Sequence, residues 1–266
     1  MDRKTTDSRR LVIRLSPTTL SFSTKGETGQ VEYVPYNLKS GISLAANMRE
    51  ALQTQVICQG QYGRVMVMLN TPVMMMPVDL FEEATKDELY RYTFTCQEGM
   101  VVMHSVLPDL NSVAVFSVNK DLRTVLSDRF QTVEYMPVTA PVWRHLHQRS
   151  FTGPRNKLYA YFHDGQMDVM SYQQNRFKFC NSFTTNHPND ALYYMLNVWK
   201  QQNMQPEHDE MYMVGDAPFM DELSEKAQEF VKRVFLINPS GEFNRAPVTQ
   251  LKGMPYDLMV LYIKGR

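Results

Sequence analysis

Residues 158–199 read LYAYFHDGQMDVMSYQQNRFKFCNSFTTNHPNDALYYMLNVW, and the periodicity of this stretch decides the fold. Over 158–163, Leu158, Ala160 and Phe162 alternate with Tyr159, Tyr161 and His163, the two-residue period of a sheet. Asp164 and Gly165 then supply a turn, because glycine takes positive φ without steric cost and aspartate tolerates it. Residues 167–172 alternate again, Asn175 marks a second turn, and 176–183 sets Phe177, Phe179, Asn181 and Phe183 on one side. Three short strands with tight turns make an antiparallel meander. A helix follows at once: Asn186 or Asn189 is placed to cap it, Pro188 suits its first turn, and Asp190 favours its positive end. Leu192, Met195, Leu196 and Trp199 fall on one face at helical spacing.

Working outward, a strand over 210–214 runs through Gly215, Asp216, Ala217 and Pro218 into a helix over 219–233, and a strand over 234–238 closes the unit. The order is βββαβαβ. A looser copy opens the chain, with strands at 11–16, 20–24 and 30–36. Gly41 and Ser43 then introduce a helix to Thr54 with Leu44, Met48 and Leu52 on one face, and a strand follows at 64–69. The same order recurring about 145 residues apart predicts an internal duplication. Between the copies, 71–81 (TPVMMMPVDLF) is an extended or edge segment because of its two prolines. Next come a short acidic helix at 79–86, strands at 89–95, 101–107 and 113–118, a helix from Asn119 or Asp121 to Phe130, and a strand at 133–136. A helix at 141–149 carries the chain across, and Gly153-Pro154 makes 151–156 the hinge, giving lobes 1–150 and 151–266. The tail reads as an exposed turn at 238–247 and then a helix at 255–264, with a strand from Leu258 as the alternative.

Composition narrows the function classes. With 266 residues and 43% apolar content the chain can hold one large domain or two ordinary ones. Lys+Arg and Asp+Glu balance at 28 each, so no long-range field recruits nucleic acid or anionic lipid. Cys58, Cys96 and Cys180 lie far apart without a CxxC and read as buried, reduced thiols of a cytoplasmic protein. Residues 1–10 are polar and read as frayed; Arg14 interrupts the apolar run that a signal peptide would need after Arg3, Lys4, Arg9 and Arg10. The apolar run at 258–263 is far too short to span a bilayer.

Two copies of a meander followed by helix, strand and helix resemble the ribonuclease-H-like βββαβα unit doubled in actin, heat-shock chaperones and sugar kinases. AYFHDGQMDVM at 160–170, FCNSF at 179–183 and DALYYML at 190–196 are closer still to an uncharacterised family from Bacteroides and relatives, which looks like an actin-like ATPase fold without an established activity. The resemblance implies an α/β fold of two ribonuclease-H-like lobes. It also implies ATP and magnesium between the lobes in active members, held by three segments. The first phosphate segment corresponds to Leu15-Ser16-Pro17-Thr18-Thr19, where no carboxylate occurs between Asp7 and Glu27 and Pro17 lacks an N–H. Hydroxyls there do not replace a hard anionic ligand. The second corresponds to Asp164, Gly165 and Gln166, without the expected run of glycines; an ordinary hairpin explains the pair. The adenosine segment keeps Gly215, with Asp216 in place of a second glycine, and close strand-to-helix packing explains Gly215 as well.

Other candidates carry less. His145 and His147 sit two apart on a helix and point in different directions, and His163 adds no ligand spacing. Asp164 with Asp168 reads as a pair of solvated turn residues. His187 and His208 read as loop residues, and GxSxG, HExxH, Walker and GxGxxG motifs are missing. The aromatic run Tyr159, Tyr161, Tyr172, Phe177, Phe179 lacks the basic surplus of a base-stacking sheet. Three methionines in succession, Met74, Met75 and Met76, cannot all face inward on one strand, so part of that run is expected to meet something else, either packing between the lobes or a partner at an adaptable binding surface. The expectation is therefore a non-catalytic actin-like protein acting through protein–protein contacts, with no cofactor and a degenerate nucleotide site. The alternative is an ATP-binding phosphotransferase or ATPase using the inter-lobe cleft with ATP and Mg, and a third possibility is a homo-oligomeric assembly module.

Overall fold

A computed structural model describes residues 9–174 and 176–265. Of the start expected to be frayed at 1–10, residues 1–8, with Arg3 and Lys4, lie outside the described residues, as does the turn marker Asn175, and Arg10 already opens the first strand. Contacts divide the chain into two compact units, Met1–Ala140 and Pro141–Arg266.

In the first unit, β1 (Arg10–Leu15), β2 (Leu20–Lys25) and β3 (Val31–Tyr36) form the meander, followed by α1 (Leu44–Thr54) and β4 (Arg64–Leu69). The inserted segment is β5 (Val73–Pro77), α2 (Lys86–Thr93), β6 (Met100–Leu107) and β7 (Ser112–Asn119); α3 (Lys120–Arg129) and β8 (Val133–Pro137) complete the unit. The main sheet runs β3-β2-β1-β4-β8, with β1, β4 and β8 mutually parallel and the meander antiparallel. Leu11, Ile13 and Leu15 alternate inward from β1 and pack with Val65, Val67 and Leu69 beneath Met48 and Ala51 of α1 and Leu122 and Leu126 of α3. Ser43 accepts from the Ala46 N–H at the start of α1, and Asn119, not Asp121, does the same for α3 through the Leu122 N–H.

In the second unit, α4 (Ala140–Ser150) precedes β9 (Lys157–His163), β10 (Gln166–Gln173), β11 (Arg176–Thr184), α5 (Pro188–Gln201), β12 (Glu210–Gly215), α6 (Met220–Gln228) and β13 (Val234–Leu236). α7 (Pro239–Glu242) and α8 (Tyr256–Lys264) follow. The sheet order β11-β10-β9-β12-β13, with β9, β12 and β13 mutually parallel, repeats the topology of the first sheet strand for strand. One face, Leu158, Ala160, Phe162, Met167 and Val169, packs on Met195 and Trp199 of α5 and Leu223 and Ala227 of α6. The other face carries Tyr159, Tyr161, His163, Asp168 and Tyr172, all buried. There Tyr172 Oη donates to the Trp143 carbonyl of α4 and Tyr161 Oη to Asp257 of α8. α4, placed with the first lobe by sequence, thus packs against the second sheet.

Several expectations are corrected. Residues 89–95 are not a strand, and the acidic helix is not at 79–86: α2 spans Lys86–Thr93. Asp87 and Glu88 in its first turn and Arg91 in its last complement the helix dipole. Buried Tyr90 reaches Phe94 one turn on, ring centroids 5.1 Å apart, so the aromatic spacing is helical rather than alternating. His187, rather than Asn186 or Asn189, precedes α5, and Asn189 instead accepts from Lys226. α6 stops at Gln228, short of 233; the Phe230 N–H bonds the Ala227 carbonyl three residues back and tightens the last turn. The 238–247 segment is not simply an exposed turn, because it forms α7 and buries Phe243. Among the described residues no helix is long and apolar enough to cross a membrane.

Candidate functional site

The turn between β1 and β2 stands where the first phosphate segment is expected. Ser16 Oγ accepts the backbone N–H groups of Thr18 and Thr19 at 3.2 and 2.9 Å. It also meets Thr19 Oγ1 at 2.7 Å, while the Ser16 N–H bonds the Thr19 carbonyl at 2.8 Å. Arg14, itself buried, adds a bond from Nη1 to Thr19 Oγ1 at 3.3 Å. A phosphate nest works by aiming consecutive N–H groups at one point outside the chain. Here those groups converge on a hydroxyl of the same turn.

The β9–β10 hairpin stands where the second segment is expected. Asp164 and Gly165 take φ of +48° and +75°, the two left-handed positions of a two-residue turn. The Asp164 carboxylate, whose side chain is 5% exposed, turns back onto His163, with Oδ2 at 3.0 Å from Nδ1. On the other edge of the ring His163 Nε2 lies 2.6 Å from Asp168 Oδ2, and Gln166 Nε2 is 3.3 Å from the same nitrogen. Ser182 Oγ donates to the second oxygen of Asp168. Asp164 and Asp168 are therefore not solvated turn residues; they clamp a buried imidazole. Burial alone would lower the His163 pKa, but Asp168 and Asp164 outweigh it and push it up to about 9.

The clamp has a measurable consequence. A pKa raised from about 6.5 to about 9 stabilises the fold fully below the unfolded value and is lost as pH rises through the folded one. Urea midpoints are expected to fall between about pH 7 and pH 10, and His163→Asn is expected to flatten that component relative to the native chain. Equal pH slopes in the two proteins would contradict a charged imidazole here.

The third segment is set by contact with β9. Gly215 has φ of +111°, and a Cβ there would lie 2.0 Å from the Phe162 carbonyl oxygen. The Asp216 N–H bonds that same carbonyl at 2.9 Å, and Asp216 itself is exposed. Gly215 thus serves strand-to-strand packing, not the strand-to-helix packing expected.

Within the first unit, a cavity of about 340 Å³ opens beside the carboxyl ends of β1 and β4. Leu15, Leu44, Leu69 and Leu122 give it apolar walls, and Ser16, Asn70, Ser117 and Asn119 give it neutral polar groups. Among the described residues lining it, Asp121 is the one ionisable side chain. Such a lining suits an uncharged or cationic group and disfavours a polyphosphate. The pocket was not foreseen from sequence, because α1, α3 and the insert supply it from separate stretches.

The methionine run lies on β5, an edge of the three-stranded sheet β5-β7-β6. Met74 and Met76 pack against Tyr90, Val102, Val113 and Val115, while Met75 lies on the opposite face and is half-buried. The alternation demanded by the strand therefore splits the run. His145 Nε2 meets Glu242 at 3.0 Å and the His147 ring stacks 5.5 Å from Tyr172, so the two histidines do point apart. Cys58 is buried and its thiol pushed up to about 12 by that burial, whereas Cys96 and Cys180 are only half-buried.

Residues 1–234 match the model of the family described as "Protein of unknown function (DUF3822)". No curated protein matches the chain. A crystal structure of a Bacteroides thetaiotaomicron protein with actin-like ATPase fold and unknown function is similar at a TM-score of 0.85 and 24% identity, over 98% of both chains. The PilM-PilN type IV pilus biogenesis complex is similar at a TM-score of 0.54 and 12% identity, over 96% of this chain and 97% of that one. Likeness at these identities concerns the fold, and that fold is the actin-like ATPase fold expected from the paired meanders.

Proposed function

The chain belongs to the family described as protein of unknown function (DUF3822), and from that premise and its actin-like ATPase fold we propose that it acts through protein contacts and does not hydrolyse ATP. The observation that carries the reading is the β1–β2 turn, whose Thr18 and Thr19 N–H groups are spent on Ser16 Oγ. The hairpin supports it, since the Asp164 carboxylate is held by His163. Phosphoryl transfer depends on placing metal and charge around the phosphates, so a grip turned inward on both counts removes the main source of rate. The PilM-PilN complex, a protein assembly containing a similar fold, supports a contact role. A cytoplasmic setting is part of the proposal and draws on three free cysteines.

A second reading, an ATP-binding phosphotransferase with rearranged ligands, draws on the cavity beside β1 and β4. Its single carboxylate, Asp121, speaks against a triphosphate there. ATP turnover separates the readings. We expect no turnover above a protein-free blank, and no change on Asp164→Ala. Turnover well above the blank that Asp164→Ala abolishes is the result that rejects the contact reading.

A further inference from the structure

We infer that the inserted three-stranded sheet of the first unit docks a protein segment in which apolar side chains are flanked by lysine or arginine. The inference rests on the contact role proposed above and names the chemistry of the partner.

Three apolar side chains crowd one end of this sheet. The ladder sets Met76, Val113 and Val106 in one row and Pro77, Ser112 and Leu107 in the next. The chain leaves that end through a turn of 3-10 helix, Val78–Leu80, and the Phe81 ring then lies 4.9 Å from the His104 ring. Phe81 is thereby laid over the face that Val106 shares with His104. Val78 is 41% exposed, Leu80 66% and Val106 53%, so the apolar surface continues outward from Met76 and Phe81 into solvent.

The rim of this surface carries an excess of negative charge. Residues 78–92 hold Asp79, Glu82, Glu83, Asp87 and Glu88 against Lys86 and Arg91, in a chain whose total charge is zero. All five carboxylates are exposed. Lys86 pairs with Glu83 and Asp87 at 3.5 and 3.7 Å, and Arg91 turns to the Met100 carbonyl. Asp79, Glu82 and Glu88 make no ion pair among the described residues and face outward uncompensated. An apolar centre with an acidic rim selects a partner of opposite rim, with charge setting the approach and register and the apolar contact setting the residence time.

The probe is a synthetic amphipathic helix of about 16 residues built from leucine and lysine, with a twin carrying glutamate for lysine. Binding to the full chain is read by fluorescence anisotropy at low and high salt. We expect the lysine peptide to bind at least about tenfold more tightly than its twin at low salt, with the preference shrinking as salt rises. Leu80→Ser with Val106→Ser is expected to lose at least about tenfold, while Val56→Ser, at an exposed position after α1, changes nothing. Glu82→Lys with Glu88→Lys is expected to reverse the preference, and unchanged urea midpoints show that the variants fold. Equal binding of the twins overturns the charge class, and a Leu80/Val106 variant that binds as before overturns the face. Both results leave the ATP question to turnover, so the two proposals fail separately.

Discussion

Gly215→Ala is expected to be among the most damaging single substitutions in this chain. The residue sits at φ +111°, a region that an L side chain adopts only under strain, and its new Cβ would lie 2.0 Å from the Phe162 carbonyl oxygen. Neither neighbour can yield cheaply. β12 is hydrogen-bonded to β9 from Glu210–Lys157 to Gly215–Phe162, and the Phe162 carbonyl is already engaged by the Asp216 N–H. Relief therefore means parting two central parallel strands over the core formed by Ala160, Met213 and Leu223. A loss of about 4 kcal/mol or more is expected in chemical denaturation, enough to leave many domains unfolded. Gly165→Ala makes the matched comparison. It has φ +75° but open space around it, so only the backbone strain remains and about 1 kcal/mol is expected. Equal losses at the two positions would refute the strand contact as the cause.

Glu242→Ala is expected to cost about 3 kcal/mol. Glu242 Oε1 accepts from His145 Nε2 at 3.0 Å and Arg149 Nη1 at 2.8 Å, and Oε2 accepts from Tyr256 Oη at 2.7 Å. One carboxylate, 8% exposed, thereby ties α4, α7 and α8 together. Removing it strands a guanidinium and a buried phenol, and losing one partner of a buried pair costs about 3–5 kcal/mol. The lower figure applies because the Arg149 side chain is 34% exposed and water recovers part of its charge. Burial opposes the Glu242 charge, but His145, Tyr256 and Arg149 hold its carboxyl below the usual range. The stabilisation is present above the unfolded value of about 4.3 and is lost as pH falls through the depressed folded one. Glu242→Ala should accordingly unfold with a shallower acid limb than the native chain. A midpoint shift below about 0.5 kcal/mol would place the three helices on apolar packing alone.

How far the sequence discloses this structure depends on the range of the interaction. Strand alternation and turn chemistry are local, so both meanders, the Asp164-Gly165 hairpin and the repeat of sheet order are legible. α2 was not, since Tyr92, Thr93 and Phe94 favour a strand by type while the buried contacts of Tyr90 demand a helix. The His163 clamp was within reach. A two-residue turn pairs His163 with Gln166, which places Asp168 diagonally across on the same face, close enough for a side-chain bond. Glu242 was beyond reach, because its partner His145 is 97 residues away and no local pattern joins them. The β1–β2 turn lies between these cases. Missing carboxylates could be read directly, but the capture of two N–H groups by Ser16 needed atomic positions.

The β1–β2 turn and the hairpin lead to one physical statement. Groups that would grip a triphosphate are engaged within their own turns, Thr18 and Thr19 by Ser16 and Asp164 by His163. Urea denaturation with and without millimolar Mg-ATP tests it most directly. A ligand at a hundred times its Kd adds about 2.7 kcal/mol to the native state, and the account predicts superimposable curves. A saturable rise in the midpoint with Mg-ATP would contradict it.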